Sequence, residues 1–335
     1  MAQTNSVPKL EVAFIGTFTG PQRILCETTK EGLSYYNETL KGTDPVRVTD
    51  VEMGGDEASI RAAFEKLSGE QKYHALILIG APISNTIAPL AEAAGIPTFA
   101  WTRTEDVARG RRFVIRTMPS AVREGEAIAG EAKMRGMRAV AVFAEDAGYS
   151  RGIVDGFKRS FPTSMIVSEE FRRDTQRSYT DGLIAAQKRG VRDVFTCLNA
   201  PWIVAREARM IGMTGAIFGC DVIDPEQQGE LAEPGLSDAW FVSIGVAREF
   251  RREFGKRFGT KPFVSGAAIH ADLMSVLRRI AEHRPRGTEI IERVLATPEQ
   301  SGALTRLAFV ERDGDQFLEP AFVVNRVRNG ALDRN

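Results

Sequence analysis

Residues Tyr73 to Thr104 read YHALILIGAPISNTIAPLAEAAGIPTFAWTRT. Ala75–Ile79 is a short unbroken apolar run, the pattern of a strand buried on both faces. Gly80 ends it. Ser84 or Asn85 then caps a helix whose apolar positions Ile87, Leu90, Ala91 and Ala94 keep helical spacing. Gly95 stops that helix, and Pro97–Ala100 begins the next strand. Strand, turn, helix and strand make one βαβ unit, and such units bind ligands beyond the carboxyl ends of their strands. Here those ends carry Ser84 and Thr102-Arg103-Thr104. Backbone N–H groups at a helix start, with hydroxyls beside them, suit a carboxylate or another small anion. On spacing alone an equal reading is that Ser84 caps a helix and the threonines make turns.

The same alternation extends upstream. Leu10–Gly16 reads as a first strand, Gly16 to Pro21 (GTFTGP) as a turn, and the region Gly32–Thr39 as helical. Val46–Val51 is a second strand, and Asp56 opens a helix with Ile60, Ala63, Phe64 and Leu67 on one face. Downstream, Phe113–Pro119 reads as a crossing segment, and Ser120 caps a helix that ends near Gly136. Arg138–Phe143 restarts the series. It is followed by helix Gly152–Ser160, strand Met165–Ser168, a helix opened by a Ser178/Asp181 capping box, and strand Asp193–Leu198. A helix carrying Val204, Ala205, Ala208 and Ile211 and the strands Ala216–Gly219 and Ala239–Ser243 complete it. The spacing therefore predicts an α/β chain of two doubly wound parallel-sheet lobes. Helices Ala247–Phe258 and Gly266–His283 return to cover the first lobe. Leu307–Val310 and Phe322–Val327, separated by Asp313-Gly314-Asp315, are late strands. The expected lobes are residues 1–119 with 247–319, and 120–246 with 320–335. With no linker between them, a multi-crossing hinge would surround a ligand cleft.

Composition narrows the function. At 335 residues, with 43% hydrophobic and 26% charged, the chain is of globular type and long enough for two cores. Lys plus Arg equals Asp plus Glu, 44 each, so net charge offers no argument for a nucleic-acid partner. No apolar run approaches the roughly 20 residues that span a bilayer. Cys26, Cys197 and Cys220 form neither a disulfide framework nor a zinc spacing. Cys197 and Cys220 each end a predicted strand, near enough in the series to be neighbours, and two buried reduced thiols are expected. The start MAQTNSVPKL lacks a cleavable signal pattern. It fits a cytoplasmic protein or a mature chain with an added Met.

Dinucleotide, P-loop and α/β-hydrolase motifs are absent. His74, His270 and His283 are far apart, and His270 lies on an otherwise apolar helix face, as a structural histidine would. No acid–base set emerges, so no catalytic residue, metal ligand or cofactor is expected. What remains is a set of groups at strand ends. Ser84, Thr102 and Thr104 offer hydroxyls. Glu145-Asp146-Ala147-Gly148-Tyr149 and Asp221 offer acids and an aromatic. Together they describe a receptor for a zwitterion, with carboxylate to the first lobe and ammonium to the second. Each part alone is as well explained by capping or packing.

The order and spacing of these motifs resemble the leucine/isoleucine/valine-binding type of substrate-binding protein for ABC importers, the class I periplasmic-binding fold. The resemblance covers nearly the whole chain. It rests on the GTFTGP turn, Gly32 with Asn37, Gly80-x-x-x-Ser84, Gly95-Ile96-Pro97, Arg116-Thr117-Met118-Pro119-Ser120, Glu145–Tyr149, Gly212 and Gly219–Asp221. It implies that Ser84 and Thr104 bind a ligand α-carboxylate, with backbone groups of Ala100 and Thr102. It implies that Asp221 and Tyr149 contact the α-amino end, and that the region of Leu25 and Cys26 meets the side chain. Departures are Ser150 for a usual glycine, Trp101 for a small residue, Trp202 near usual glycines, and His270 where an acid is common. Trp101, Trp202 and Phe18 line either the side-chain pocket or the core; pocket placement favours an aliphatic or aromatic ligand. The implied protein is a periplasmic, monomeric, non-enzymatic receptor that delivers an amino acid to an ABC permease. The alternatives are the same fold holding an aromatic acid, amide or urea, or a cytoplasmic ligand-sensing regulator.

Overall fold

The computed structural model describes residues 10–20, 23–37, 40, 44–173, 178–228, 236–329 and 331–333. The chain divides into two compact units. Among the described residues, the first holds those up to Pro119 with Gly245–Gly259 and Phe263–Ala321. The second holds Ser120–Ile244, Thr260–Pro262 and those from Phe322 onward.

The first unit opens with β1 (Leu10–Gly16), α1 (Arg23–Ser34), β2 (Val46–Glu52), α2 (Glu57–Gly69) and β3 (Ala75–Ile79). It continues with α3 (Ala81–Ala94), β4 (Thr98–Trp101) and β5 (Val114–Arg116). All five residues of β3 are buried, as its continuous apolar run requires. Asp56 caps α2 by accepting the Ser59 N–H at 2.9 Å. Gly95 closes α3 in the left-handed conformation, φ 66°.

The second unit begins with α4 (Ala121–Met134), β6 (Val140–Glu145), α5 (Gly148–Ser160), β7 (Ile166–Arg172) and α6 (Thr180–Lys188). Then come β8 (Asp193–Cys197), α7 (Pro201–Met210), β9 (Ile217–Gly219), the single turn α8 (Pro225–Gln228) and β10 (Trp240–Ile244). The chain returns to the first unit for α9 (Arg248–Phe258), α10 (Val264–Ala281), α11 (Thr288–Leu295), β11 (Leu307–Arg312) and β12 (Asp315–Pro320). It ends in the second with β13 (Phe322–Arg328) and β14 (Ala331–Asp333).

The first sheet runs β11-β12-β5-β4-β3-β1-β2, parallel except for the β11–β12 hairpin. The second runs β14-β13-β10-β9-β8-β6-β7, with β13 and β14 antiparallel. Each is thus a doubly wound parallel sheet with an antiparallel edge. Strand order reverses at β1/β3 in one sheet and at β6/β8 in the other, the positions beyond which ligands of such sheets lie. In the first unit α2 and α3 pack Ile60, Phe64, Ile83 and Ile87 on Leu76 and Leu78, while α10 packs closely on α1: a Cβ added at Gly32 would lie 2.2 Å from the Ala267 carbonyl oxygen. In the second, Ile128, Val154 and Phe157 of α4 and α5 join one core, and Leu183, Val204 and Ala208 of α6 and α7 join another. No helix among the described residues is long and apolar enough to cross a membrane.

Several expectations are corrected. The first helix is Arg23–Ser34, not Gly32–Thr39, and Thr39 lies outside the described residues. Its buried face is Cys26, Thr28, Thr29, Gly32 and Leu33, too polar to read as an apolar stripe. Phe113–Pro119 contains strand β5. The Asp313-Gly314-Asp315 stretch turns β11 into β12, a strand the sequence did not reveal. Ser178 does not cap α6, whose N-cap is Tyr179. Instead the Glu207 carboxylate accepts the Tyr179 N–H and the Ser178 and Thr180 hydroxyls.

Candidate functional site

In the first unit the functional groups collect at the carboxyl ends of β3, β4 and β5. Gly80 turns the chain with φ 92°, and α3 starts at once, with Pro82 in its first turn. Ser84 is therefore inside the helix rather than its cap, and its N–H donates to Gly80 O at 3.0 Å. Neither Ser84 nor Asn85 caps the helix. The Ser84 side chain is fully buried, and its Oγ has no hydrogen-bond partner among the described residues. A buried hydroxyl left bare costs about 1–3 kcal/mol, which a ligand group would relieve.

At the end of β4, Thr102 is 3% exposed. Its hydroxyl lies 3.1 Å from that of Thr104 and accepts the Thr104 N–H at 3.2 Å. Ala100 is buried, and its carbonyl accepts the N–H groups of Thr102 and Thr117. Thr117, which follows β5, has a buried hydroxyl with no partner among the described residues. Leu25 sits half-buried on α1, and its carbonyl accepts the Thr29 hydroxyl.

The same unit carries an aromatic group. Phe14 stands 5.6 Å from Phe18 and 6.5 Å from His270, and Trp101 stands 6.3 Å from His270, centroid to centroid. His270 is fully buried, and burial holds its pKa down at about 4, against the pull of the Gly266 carbonyl at its Nδ1. The sequence reading of His270 as structural is thus half the account, because its Nε2 is buried without a partner among the described residues.

In the second unit the groups collect at the ends of β6 and β9 and at the start of α4. Asp221 opens a short 3-10 turn after β9. The Tyr149 hydroxyl, from the first turn of α5, donates to Asp221 Oδ1 at 2.9 Å and lies 3.4 Å from Glu124 Oε2. Glu145, last in β6, accepts the Asn199 N–H at 2.9 Å, tying together the two strand ends at the order reversal. Trp202 packs against the core that holds Leu183 and Val204, while Tyr149 packs against the one that holds Ile128 and Phe157.

Glu124 is the residue the sequence reading missed. Ser120 caps α4, which fixes the helical phase and puts Glu124 on its buried face with Ala121, Val122, Gly125 and Ile128. A carboxylate on an otherwise small, apolar stripe is the signal that could have found it. Donor atoms of Glu124, Cys220 and Asp221 all lie within 4.8 Å of one another, near enough to share one cation. Cys220 Sγ is 3.1 Å from Cys197 Sγ, and both are buried free thiols, as the sequence led one to expect. Burial, then the neighbouring Cys197 and Asp221, raise the Cys220 pKa well above that of an ordinary thiol. It is therefore an inert thiol while uncomplexed.

Chemically, the first unit offers buried hydroxyls suited to an anion, and an aromatic wall. The second offers two carboxylates and a phenol suited to a cation. A family model described as periplasmic binding protein matches residues 9–330. Among curated protein sequences none is significantly similar. The leucine-binding protein LivK of Thermotoga maritima superposes with a TM-score of 0.79 at 23% identity, over 97% of each chain. The isoleucine complex of LivJ, the branched-chain amino acid transporter substrate-binding protein of Streptococcus pneumoniae, gives 0.79 at 16% identity, over 97% of this chain and 98% of that one. A solute-binding protein of an ABC transporter from Rhodopseudomonas palustris, in complex with 3,4-dihydroxybenzoic acid, gives 0.79 at 15% identity, over 97% and 95%. At these identities the structures share the fold.

Proposed function

The chain belongs to the periplasmic binding protein family, and from that premise we propose that it is the solute receptor of an ABC importer, taking a small amino acid. It works in the periplasm as a monomer, binds without turnover, and hands its ligand to a membrane permease. Ser84, Thr102 and Thr104 take the carboxylate. Asp221 and Tyr149 take the ammonium, with Glu124 as a second acid. Trp101 and Leu25 meet an aliphatic or aromatic side chain, and Trp202 flanks it. The observation that carries this reading is the Tyr149 hydroxyl held at 2.9 Å by Asp221 with Glu124 at 3.4 Å. Two carboxylates that converge on one hydroxyl concentrate negative charge, which suits a cationic ligand group.

A second reading is supported by the aromatic wall of Phe14, Phe18, Trp101 and His270. On it the ligand is an aromatic acid, as in the Rhodopseudomonas palustris complex. The two readings part at the acids. Calorimetric titration of the wild type and Asp221→Asn with amino acids and benzoates tests both. On the first, an amino acid binds and Asp221→Asn weakens it by about 2–5 kcal/mol, since one partner of a buried charge pair is removed. Benzoate binding that ignores Asp221→Asn would replace the first reading with the second.

A further inference from the structure

Two buried nitrogens of opposite polarity lie against one turn of α10. Gly266 O is 2.7 Å from His270 Nδ1. A carbonyl only accepts, so Nδ1 carries the proton and Nε2 presents a bare lone pair. That Nε2 is buried without a partner among the described residues, and so is the indole Nε1 of Trp101, which can only donate. Both side chains are more than nine-tenths buried, Trp101 being 8% exposed and His270 fully enclosed. They share a neighbourhood. A Cβ at Gly266 would lie 3.2 Å from Trp101 Cζ2 and 3.6 Å from Cε2, the carbon bonded to Nε1. The Trp101 and His270 rings are 6.3 Å apart, centroid to centroid, which puts both nitrogens in one side-chain cluster.

Each orphan costs free energy while unmade. A carboxylate satisfies the indole but cannot donate to Nε2, and an ammonium donates to Nε2 but cannot accept from the indole. A hydroxyl oxygen does both at a single atom. We propose that Trp101 and His270 form a hydroxyl-recognising subsite, so that the ligand of this protein carries an alcohol or phenol group on its side chain. Burial keeps His270 neutral at physiological pH, so the acceptor stays available. The subsite rests on the reading of the first unit as ligand-binding. It narrows that reading from aliphatic or aromatic solutes in general to hydroxylated ones. Sites built to bond a hydroxyl reject the analogue that lacks it far more strongly than apolar pockets reject an extra methylene.

The test is calorimetric titration of the full chain with matched pairs: L-threonine and L-valine, L-tyrosine and L-phenylalanine, 4-hydroxybenzoate and benzoate, phenol and anisole. The hydroxylated member of at least one pair should bind about 100-fold tighter. Trp101→Phe and His270→Phe should each reduce that ratio to within about threefold, and His270→Gln, which keeps an acceptor, should preserve most of it. The Trp101 indole N–H resonance, assigned by its loss in Trp101→Phe, should shift on saturation with the hydroxylated probe and not with its partner. Should amino acids and benzoates all fail while phenol beats anisole through Trp101, the amino-acid receptor reading falls and the subsite stands. Equal affinity within every pair, a preference that survives Trp101→Phe, an indole resonance blind to the hydroxyl as for a resident water, or no binding by any probe overturns the subsite.

Discussion

His270 and Asp272 lie two residues apart on α10, and burial pushes their titrations in opposite senses. Asp272 is raised to about 6 by desolvation, partly offset by the N–H groups of Leu304 and Ala303 that its carboxylate accepts. Between pH 4 and 6 the unfolded chain loses this proton first, so stability falls as pH rises. His270 is lowered to about 4 by desolvation. Between pH 6.5 and 4 the unfolded chain gains that proton first, so stability falls as pH drops. Each amounts to about 3 kcal/mol across its window, and in the native protein the two largely cancel. Urea unfolding at pH 4.5 and 7 should show it. Asp272→Asn loses more stability than wild type on acidification, and His270→Phe gains relative to wild type. Glu124 makes its own prediction. Glu124→Gln removes one of two carboxylates beside Tyr149 and should weaken amino-acid binding about tenfold by titration, with benzoate unaffected or improved. That Asp221 and Tyr149 come together was legible, because motif order put both just past strand ends of one lobe. Glu124 was not, because its meaning depends on which face of α4 is buried.

Helix α4 meets α5 with no room to spare. A Cβ at Gly125 would lie 2.0 Å from the Ile153 carbonyl oxygen, and one at Gly156 would lie 1.9 Å from that of Val122. Gly130, also on α4, has nothing within 4 Å. Gly125→Ala and Gly156→Ala should each destabilise by about 3 kcal/mol as the helices are forced apart. Gly130→Ala should be neutral or stabilising by up to about 1 kcal/mol, since only helix propensity changes. Thermal melts followed by circular dichroism separate the two classes. Elements with a strong apolar signal were legible: β3 and α4 begin and end within a few residues of their sequence reading, and α2 begins where Asp56 caps it. Those that hide their buried face were not. α1 packs Cys26, Thr28 and Thr29 inward, and β12 carries Asp315, Gln316 and Glu319 within its six residues. Such compositions read as surface until their neighbours are known.

For the whole molecule, the restart of the βα series at Arg138 was enough to show two lobes of one kind. The partners of the late strands were not legible. β12 joins β5, and β13 joins β10, and these are choices made between residues remote in sequence. A ligand held by the native state alone should raise unfolding free energy by about 2.7 kcal/mol at a hundredfold excess over its dissociation constant. That is a shift of several degrees in a thermal-shift assay, and it should fall to less than a third in Asp221→Asn at the same concentration. The five passages between units, after Pro119, Ile244, Gly259, Pro262 and Ala321, also bear on how the protein is made. A ribosome that has just finished β10 has delivered neither α10, nearly all of which is buried, nor β13, which covers the edge of β10. Both lobes therefore stay unfinished until β12 and β13 emerge, and the nascent polypeptide can settle into its final form only after that point.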